Sequence, residues 1–282
     1  MATKILIDSA SDISEKEAQQ LGLTLIPIIV GFGEEEYYDG VNLLPNEFYE
    51  KLTASKSLPR TSQISIFRYE EEFEKATANG DSAVVITLSS KLSGTYNSAL
   101  KASERFDGKV FIVDSLNACA GERLLGMHAI NLANKGLSAQ EIAKELDIIK
   151  EKIRVYATID TLEYLKRGGR ISSAVAIAGS LLSIKPVIGV IDGEVKLIGK
   201  AMGFKRGMAL LNSLVEKTNG IDFSLPYGLV WSGTDESVVN DYKKVGSKLW
   251  EKNCNDIKNY VIGCTIGTHI GPGAVGIAFF EK

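Results

Sequence analysis

The chain is poor in the residues that build metal sites and disulfide frameworks. Among its 282 residues there are three cysteines and two histidines. The cysteines are odd in number, lie far apart and form no C-x-x-C pair, so neither a zinc site nor a disulfide framework is expected. We interpret Cys119, Cys254 and Cys264 as buried free thiols in a reducing compartment, which predicts a cytoplasmic protein.

A basic surface and a long apolar run are also missing. The formal net charge is −3, which argues against a nucleic-acid or anionic-membrane binder. The longest weakly polar stretch, 171–191, is interrupted by Lys185-Pro186, whereas a membrane span needs about 20 mostly apolar residues. The first apolar run ends at Asp8, too early for a signal peptide. The composition, 45% hydrophobic and 24% charged, is that of a globular protein with room for a core or an internal cavity.

Strands and helices alternate through the first half of the chain. This alternation predicts a parallel sheet with helices on its faces. The predicted strands are 4–8, 23–30, 83–87, 110–113 and 155–159; the predicted helices are 14–22, with Ser14 as N-cap, and 45–53, 67–79, 95–105, 121–134 and 138–153.

The second half has a different pattern, which predicts a mixed or antiparallel sheet with helices packed on it. Asp192-Gly193 between two apolar segments is a strong hairpin signal. With about 150 residues per domain as a guide, we predict an N-terminal α/β domain over 1–160 and a C-terminal α/β domain over 161–282. The predicted strands are 186–191, 194–197, 229–231, 257–262 and 274–280; the predicted helices are 174–182, 204–217 and 237–252.

The densest polar cluster lies between a predicted strand and a predicted helix, from Thr87 to Ser98. Ligands of open α/β sheets collect at the carboxyl ends of strands, and the unpaired N–H groups of a helix N-terminus suit an anion. Gly94 allows a backbone N–H to approach a ligand closely. Two interpretations stay open here: Ser93 or Thr95 caps the helix, or the loop binds an anion.

Three further segments carry polar residues that could serve a ligand. The segment 59–65 contains Thr61 and alone indicates an extended loop with an N-cap. Basic residues cluster with Arg170 around two glycines. This cluster is either a solvated turn or a contact for an anion or a partner, since arginine binds carboxylate and phosphate in a bidentate manner. His269, in a glycine-rich tail, is either a core histidine or a polar ligand contact.

Motifs of catalysis and of cofactor binding are missing or out of context. The glycines of 271–276 match a dinucleotide fingerprint as a string, but they do not lie between a strand and a helix. Ser93 and His269 could form a nucleophile–base pair with Asp8 or Asp114 as the orienting acid, although G-x-S-x-G is absent. An acyl esterase or acyltransferase using Ser93 and His269 therefore stays open as an alternative, as does a binder of a small phosphorylated metabolite.

Taken together, these segments resemble the DegV family of bacterial proteins. They occur in the order of the family and span nearly the whole chain. The matching residues are Asp8-Ser9-Ala10-Ser11-Asp12, Thr61-Ser62-Gln63, Ser93-Gly94-Thr95-Tyr96, Leu165-Lys166-Arg167-Gly168-Gly169-Arg170-Ile171, Ile184-Lys185-Pro186 and His269-Ile270-Gly271-Pro272-Gly273-Ala274.

The resemblance implies a two-domain α/β protein that holds a fatty acid in an apolar interior tunnel. In the family, the threonine of T-S-Q and the serine of S-G-T hold the carboxylate, and they match Thr61 and Ser93 here, with Gly94 beside them. The tail histidine, His269, lies close to the head group. Arg170 is a candidate partner or anion contact. The expected ligand is a fatty acid of roughly 14 to 20 carbons, such as palmitate, stearate or oleate; no cofactor or metal is expected.

The resemblance also implies a partner. Some family members present the lipid to a separate ATP-binding fatty acid kinase subunit, which forms the acyl phosphate used in phospholipid synthesis. On that interpretation this chain transports lipid and is not an enzyme. Two departures from the family pattern stand out. Ile64 replaces a frequent proline after T-S-Q, and Met202 lies in a stretch that often carries an arginine, which weakens the case for a kinase partner but not for lipid binding.

Burial of the alkyl chain alone accounts for tight binding. About 15 carbons at roughly 0.8 kcal/mol each give a gross gain of about 12 kcal/mol, from which the losses of chain and rotational freedom are subtracted. The head group then only has to avoid the cost of an unpaired buried carboxylate, which hydroxyl and N–H donors prevent. The predicted tunnel lining is Ile26, Ile28, Phe32, Phe280 and the segment 174–182.

Overall fold

A computed structural model of the chain describes residues 2–171, 183–250 and 257–282, and its strands form three sheets. The strands are β1 Thr3–Asp8, β2 Thr24–Ile26, β3 Ile29–Phe32, β4 Glu35–Tyr38, β5 Arg60–Ser62, β6 Ser82–Thr87, β7 Val110–Asp114, β8 Ile153–Thr158, β9 Ile184–Ile191, β10 Glu194–Met202, β11 Gly228–Trp231, β12 Lys258–Val261 and β13 Val275–Phe280. The α-helices are α1 Glu15–Leu21, α2 Pro45–Ala54, α3 Ile66–Thr77, α4 Thr95–Ser103, α5 Ala120–Asn134, α6 Ala139–Ile149, α7 Glu163–Arg167, α8 Phe204–Glu216, α9 Ser237–Val245, α10 Ser247–Trp250 and α11 Cys264–Ile270.

The parallel sheet predicted for the first half is confirmed. Its order is β2-β1-β6-β7, and every neighbouring pair is parallel. The caps predicted from sequence start two of its flanking helices: the hydroxyl of Ser14 accepts the Glu17 N–H at 3.3 Å, and Ser138 forms a capping box with Glu141. Each cap satisfies an N–H group that the helix itself leaves unpaired.

The single strand predicted for 23–30 is wrong. The chain forms two strands there, because Pro27 lacks an N–H and cannot continue the ladder. The first, β2, pairs with β1, whereas the second, β3, lies in a separate antiparallel sheet of order β4-β3-β5. This small sheet was not predicted, and it carries Thr61 in β5, paired with Val30.

The mixed sheet predicted for the second half is confirmed, with the order β10-β9-β8-β13-β11-β12. The predicted hairpin forms β9 and β10, which run antiparallel on either side of Asp192-Gly193. The pairing expected for the strand at 155–159 is wrong, because β8 runs antiparallel to both β13 and β9. This strand precedes the boundary predicted at residue 160 yet pairs in the second sheet; the division at 160 stays a prediction.

Helix α5 packs between the two large sheets. Its Leu124 and Leu125 are fully buried in one hydrophobic cluster with Ile7 of β1, Val155 of β8 and Phe280 of β13. This cluster joins the first and last parts of the chain, so ligand-contacting residues from both can meet beside it. In the described ranges, no helix combines the length and the apolar composition that a membrane crossing requires.

Helix α11 was not predicted from the sequence, and the predicted helix at 174–182 lies outside the described residues. Seven residues with a glycine in the middle give a weak helical pattern. Two of the three cysteines, Cys119 and Cys264, are buried free thiols, as predicted, and Cys254 lies outside the described residues.

Candidate functional site

An apolar cavity of about 280 Å³ has one polar end. Its apolar wall includes Val155 and Ala157 of β8, Ile188 and Val190 of β9, and Val230 of β11. These side chains point from the face of the six-stranded sheet that also packs against α5, since alternate residues of a strand share a face. The polar end is lined by Thr61, Ser62, Gln63, Ser93, Gly94, Arg170 and His269.

The structure places all five sequence-predicted site residues in the lining of one cavity. Thr61 comes from β5 of the small sheet, and the Ser93-Gly94 pair comes from the loop between β6 and α4. Arg170 follows α7, and His269 lies in the last turn of α11.

His269 pairs with Thr61 across 208 positions of sequence. The Nε2 atom lies 3.0 Å from the threonine Oγ1. Burial, followed by the positive charge of Arg170, lowers the pKa of His269 from 6.5 to about 4, so the ring is neutral at neutral pH. Its Nδ1 atom is buried without a hydrogen-bond partner among the described residues. A Cβ added at Gly168 would overlap this atom, so a glycine is needed there for the ring to fit.

The loop before α4 folds back on itself through hydroxyl groups. The Ser93 hydroxyl accepts the Thr95 N–H at 3.2 Å and donates to Thr95 Oγ1 at 3.0 Å. The predicted side-chain cap is wrong, because the N-cap of α4 is Gly94 and no side chain caps the helix. The Ser93 hydroxyl instead closes a local turn with Thr95, and Ser93 also lines the cavity. A Cβ at Gly94 would overlap the side-chain oxygen of Gln63, so the two polar loops are in direct contact.

Arg170 links two parts of the polar end. Its Nε donates to the Leu92 carbonyl at 3.2 Å and its Nη1 donates to the Gly168 carbonyl at 2.6 Å. The guanidinium therefore connects the turn after α7 to the loop that carries Ser93. Arg170 therefore has a structural role, and it also places a positive charge beside the polar residues of the cavity.

The hydrogen bonds do not assemble a nucleophile–base–acid triad. His269 contacts Thr61, and Ser93 contacts Thr95. The two acids considered as orienting groups bind backbone N–H groups instead. The carboxylate of Asp8 accepts from Ala10 and Leu88, and that of Asp114 accepts from Ser90 and Leu116.

Three acids support the site in a way that the sequence did not predict: Asp8 and Asp12, which belong to a family motif, and Asp39, which does not. Asp8 holds Leu88, at the start of the Ser93 loop, at 2.8 Å, although burial raises its pKa to about 7. Burial likewise raises the pKa of Asp12 to about 7, and this side chain accepts from Gly263 at 2.8 Å. Asp39 accepts two N–H groups at the start of α11. The motif from Asp8 to Asp12 pointed to two of these acids but not to their roles, because their partners Leu88 and Gly263 are far away in sequence.

Of the residues predicted to line a ligand tunnel, one lines this cavity and three do not. Ile28 lines the cavity. Ile26 and Phe280 pack in hydrophobic clusters, and Phe32 packs beside another, so none of the three contributes to this cavity. Their apolar character indicated burial but not which side of a sheet they face. The remaining candidates, 174–182, lie outside the described residues. Across the described ranges, no group of three or more His, Cys, Asp or Glu side chains is placed to hold a metal ion.

The fold and the cavity define an α/β protein of three sheets with an apolar cavity that carries polar residues in its lining. A family model described as an uncharacterised protein of the DegV family matches residues 2–282, and the chain belongs to this family. A DegV domain-containing protein from Caldanaerobacter subterraneus subsp. tengcongensis is 34% identical, over 99% of this chain and 98% of that protein.

Two solved structures show the same fold. One, described as fatty acid binding of a DegV family protein from Thermus thermophilus, has a TM-score of 0.87 at 28% identity and covers 100% of both chains. The other is a stearic-acid-binding protein from Eubacterium ventriosum, with a TM-score of 0.84 at 28% identity, covering 100% of this chain and 99% of that one. The family and fold class expected from the sequence are thereby confirmed.

Proposed function

We propose that this chain binds a long-chain fatty acid, with the alkyl chain in the apolar cavity and the carboxylate at Thr61, Ser93 and Gly94. The observation that carries the proposal is the cavity itself, which is apolar along the sheet and polar at one end. The two similar structures, whose descriptions name fatty acid or stearic acid as ligand, support the same ligand class here.

The neutral state of His269 suits this head-group site. If the Nε2–H donates to Thr61 Oγ1, the threonine hydroxyl keeps its own proton free to donate to a carboxylate. The Ser93 hydroxyl can rotate from Thr95 to the ligand, and the Gly94 N–H lies at the start of α4. Several neutral donors remove the cost of burying the carboxylate without binding it through a full ion pair.

Ligand recovery tests the proposal directly. Protein purified without added lipid is denatured and extracted, and the extract is analysed by mass spectrometry. We expect a fatty acid of roughly 14 to 20 carbons, because burial of each CH₂ contributes about 0.8 kcal/mol. Recovery of no fatty acid, together with no binding of added palmitate, stearate or oleate, would contradict the proposal.

We further propose that the chain is a carrier, which presents the carboxylate to a separate ATP-binding kinase subunit. The separate hydrogen bonds of Ser93 and His269 support a carrier over an esterase. The test incubates the loaded chain with ATP, alone and with a candidate kinase subunit, and traps acyl phosphate with hydroxylamine. Hydroxamate formed only with both proteins present is expected. Ester hydrolysis by the chain alone, lost in Ser93→Ala, would instead favour the esterase.

A further inference from the structure

Helix α11 forms one wall of the polar end, yet it is short. Four of its seven residues line the cavity: Thr265, Ile266, His269 and Ile270. A helix of this length is not stable by itself in water, and its first N–H groups have no partners inside the helix. The position of His269 therefore depends on whatever holds the helix start.

The start of α11 is held mainly by one buried carboxylate. Asp39 accepts the Cys264 N–H and the Thr265 N–H, each at 3.0 Å, with one oxygen for each donor. Its side chain is only 2% exposed. Asp12 adds a single bond, from the Gly263 N–H at 2.8 Å. No residue of α11 itself supplies a side-chain cap.

Asp39 and Thr61 are fixed to the same small sheet. Asp39 follows β4, and its own N–H donates to the carbonyl of Ile28, just before β3, at 3.0 Å. Thr61 lies in β5, the other neighbour of β3. The sheet β4-β3-β5 thus contacts α11 at both ends, through Asp39 at its start and through Thr61 at His269 in its last turn.

We propose that Asp39 is a positioning residue of the head-group site, because its carboxylate caps α11 and so fixes His269 against Thr61. This inference rests on the proposed function for its consequence on ligand binding. The geometric part, that Asp39 sets the environment of His269, can be tested on the ligand-free chain.

Asp39→Asn is the sharpest variant, because it keeps the shape of the side chain. The side-chain amide oxygen of the asparagine can accept only one of the two N–H groups, from Cys264 or Thr265. The other N–H then faces the amide NH₂, which is itself a donor. Asp235→Asn is the matched control. Asp235 is exposed, and its side chain accepts the Ser237 N–H at 2.9 Å at the start of α9. None of the residues of α9 lines the cavity.

The primary measurement is the NMR signal of the His269 ring in ligand-free protein. The chain has two histidines, so His128, buried in α5, is an internal reference for the fold. In Asp39→Asn we expect a shifted His269 signal, an unchanged His128 signal and faster amide exchange in α11. The dissociation constant for palmitate should rise about tenfold, as for the loss of one hydrogen bond to the carboxylate, because Thr61 is then no longer held by His269. Asp235→Asn should match the wild type.

Three results would overturn the positioning role. One is a His269 signal and a palmitate affinity that both match the wild type in Asp39→Asn. Another is a shift of His128 as large as that of His269, which would indicate a general loss of structure. If Asp39→Asn does not fold, Asp39→Glu replaces it, because it moves the carboxylate by one methylene. The third result would then be a His269 signal and a palmitate affinity in Asp39→Glu that both match the wild type. Absence of palmitate binding in the wild type would count against the proposed function alone, since the His269 signal is recorded without ligand.

Discussion

His269 keeps its ring neutral because it is partly buried beside a positive charge. Burial is the larger cause and Arg170 the smaller one, and together they lower the pKa of His269 from 6.5 to about 4. The neutral ring is therefore favoured in the folded chain. Its contribution to stability is present above pH 6.5 and is lost as the pH falls towards 4, at about 1.4 kcal/mol per pKa unit.

An NMR titration checks this pKa. The His269 ring should titrate with a midpoint near 4. In Arg170→Gln the midpoint should rise, because one cause of the lowered pKa is gone, yet stay below 6.5, because burial remains. His128, whose pKa is also lowered by burial, should not respond to that substitution. A wild-type midpoint near 6.5 would contradict the buried, neutral ring.

Thr61 should contribute to ligand affinity through its hydroxyl alone. Thr61→Val keeps the shape and removes the donor, so we expect the dissociation constant for palmitate to rise about tenfold, as for one lost buried hydrogen bond. Ser93→Ala should act in the same direction. Isothermal titration with delipidated protein measures both.

Two comparisons show whether these effects belong to the carboxylate. The methyl ester of palmitate carries no charge, so Thr61→Val and Ser93→Ala should change its affinity much less. Ser90→Ala removes a hydroxyl from the same loop, at a residue that does not line the cavity, and should bind palmitate like the wild type. Equal losses for acid and ester would remove Thr61 and Ser93 from the head-group site.

At the scale of elements, close packing of β13 against β8 depends on Gly276. A Cβ at Gly276 would overlap the carbonyl oxygen of Tyr156 and crowd Ala157, both part of the neighbouring strand β8. A backbone cannot move aside as a side-chain end can, so we expect Gly276→Ala to lower the free energy of unfolding by about 2 kcal/mol or more. Urea denaturation measures this difference.

Gly31→Ala is the control for that substitution. Gly31 also lies in a strand, but its nearest neighbour to an added Cβ is the Glu35 carbonyl oxygen at 3.7 Å, an ordinary contact. Its φ is not positive, so alanine fits the backbone there. The free energy of unfolding of Gly31→Ala should lie within about 1 kcal/mol of the wild type. Equal losses at both glycines would show that the strand contact is not the cause.

Local patterns predicted those elements whose causes are local. Ser14 and Ser138 identified helix starts because their caps are three residues away, and Asp192-Gly193 identified a hairpin because the turn needs those residues. Helix α11 could not be predicted in this way, because Asp39, which caps it, lies 225 residues earlier in the chain.

Ile64, which replaces a frequent proline of the family pattern, makes a backbone contact that the sequence did not predict. The Ile64 N–H donates to Thr95 Oγ1 at 3.4 Å, and its side chain is buried. A proline has no N–H and could not make this contact. Where the family often has a rigid residue, this chain has a hydrogen bond between the loops that carry Thr61 and Ser93.

At the scale of the whole molecule, the ordered motifs identified residues that meet in one cavity, whereas most residues predicted for its apolar walls lie elsewhere. Thr61, Ser93, Gly94, Arg170 and His269 were identified through the ordered family motifs and share one cavity. The walls depend on which face of the six-stranded sheet each apolar residue occupies. That face follows from strand register, and the antiparallel pairing of β8 was not predicted.

Because the cavity lies among residues from both halves of the chain, its ligand should stabilise the molecule as a whole. A ligand that binds only the folded chain, at a thousandfold excess over its dissociation constant, adds about 4 kcal/mol to the free energy of unfolding. Removal of the fatty acid should then lower Tm by on the order of 10 °C for a chain of this size. Calorimetry on purified and on delipidated protein measures the change.

The form of the added lipid then separates the two parts of the site. Oleate should restore the original Tm of the delipidated chain. Methyl oleate buries the same alkyl chain but offers no carboxylate to Thr61 and Ser93, so it should restore only part of the shift. Octanoate, with far fewer CH₂ groups, should restore little at the same concentration. Equal recovery with octanoate and oleate would contradict an apolar cavity as the main source of affinity, because the gain from burial grows with chain length.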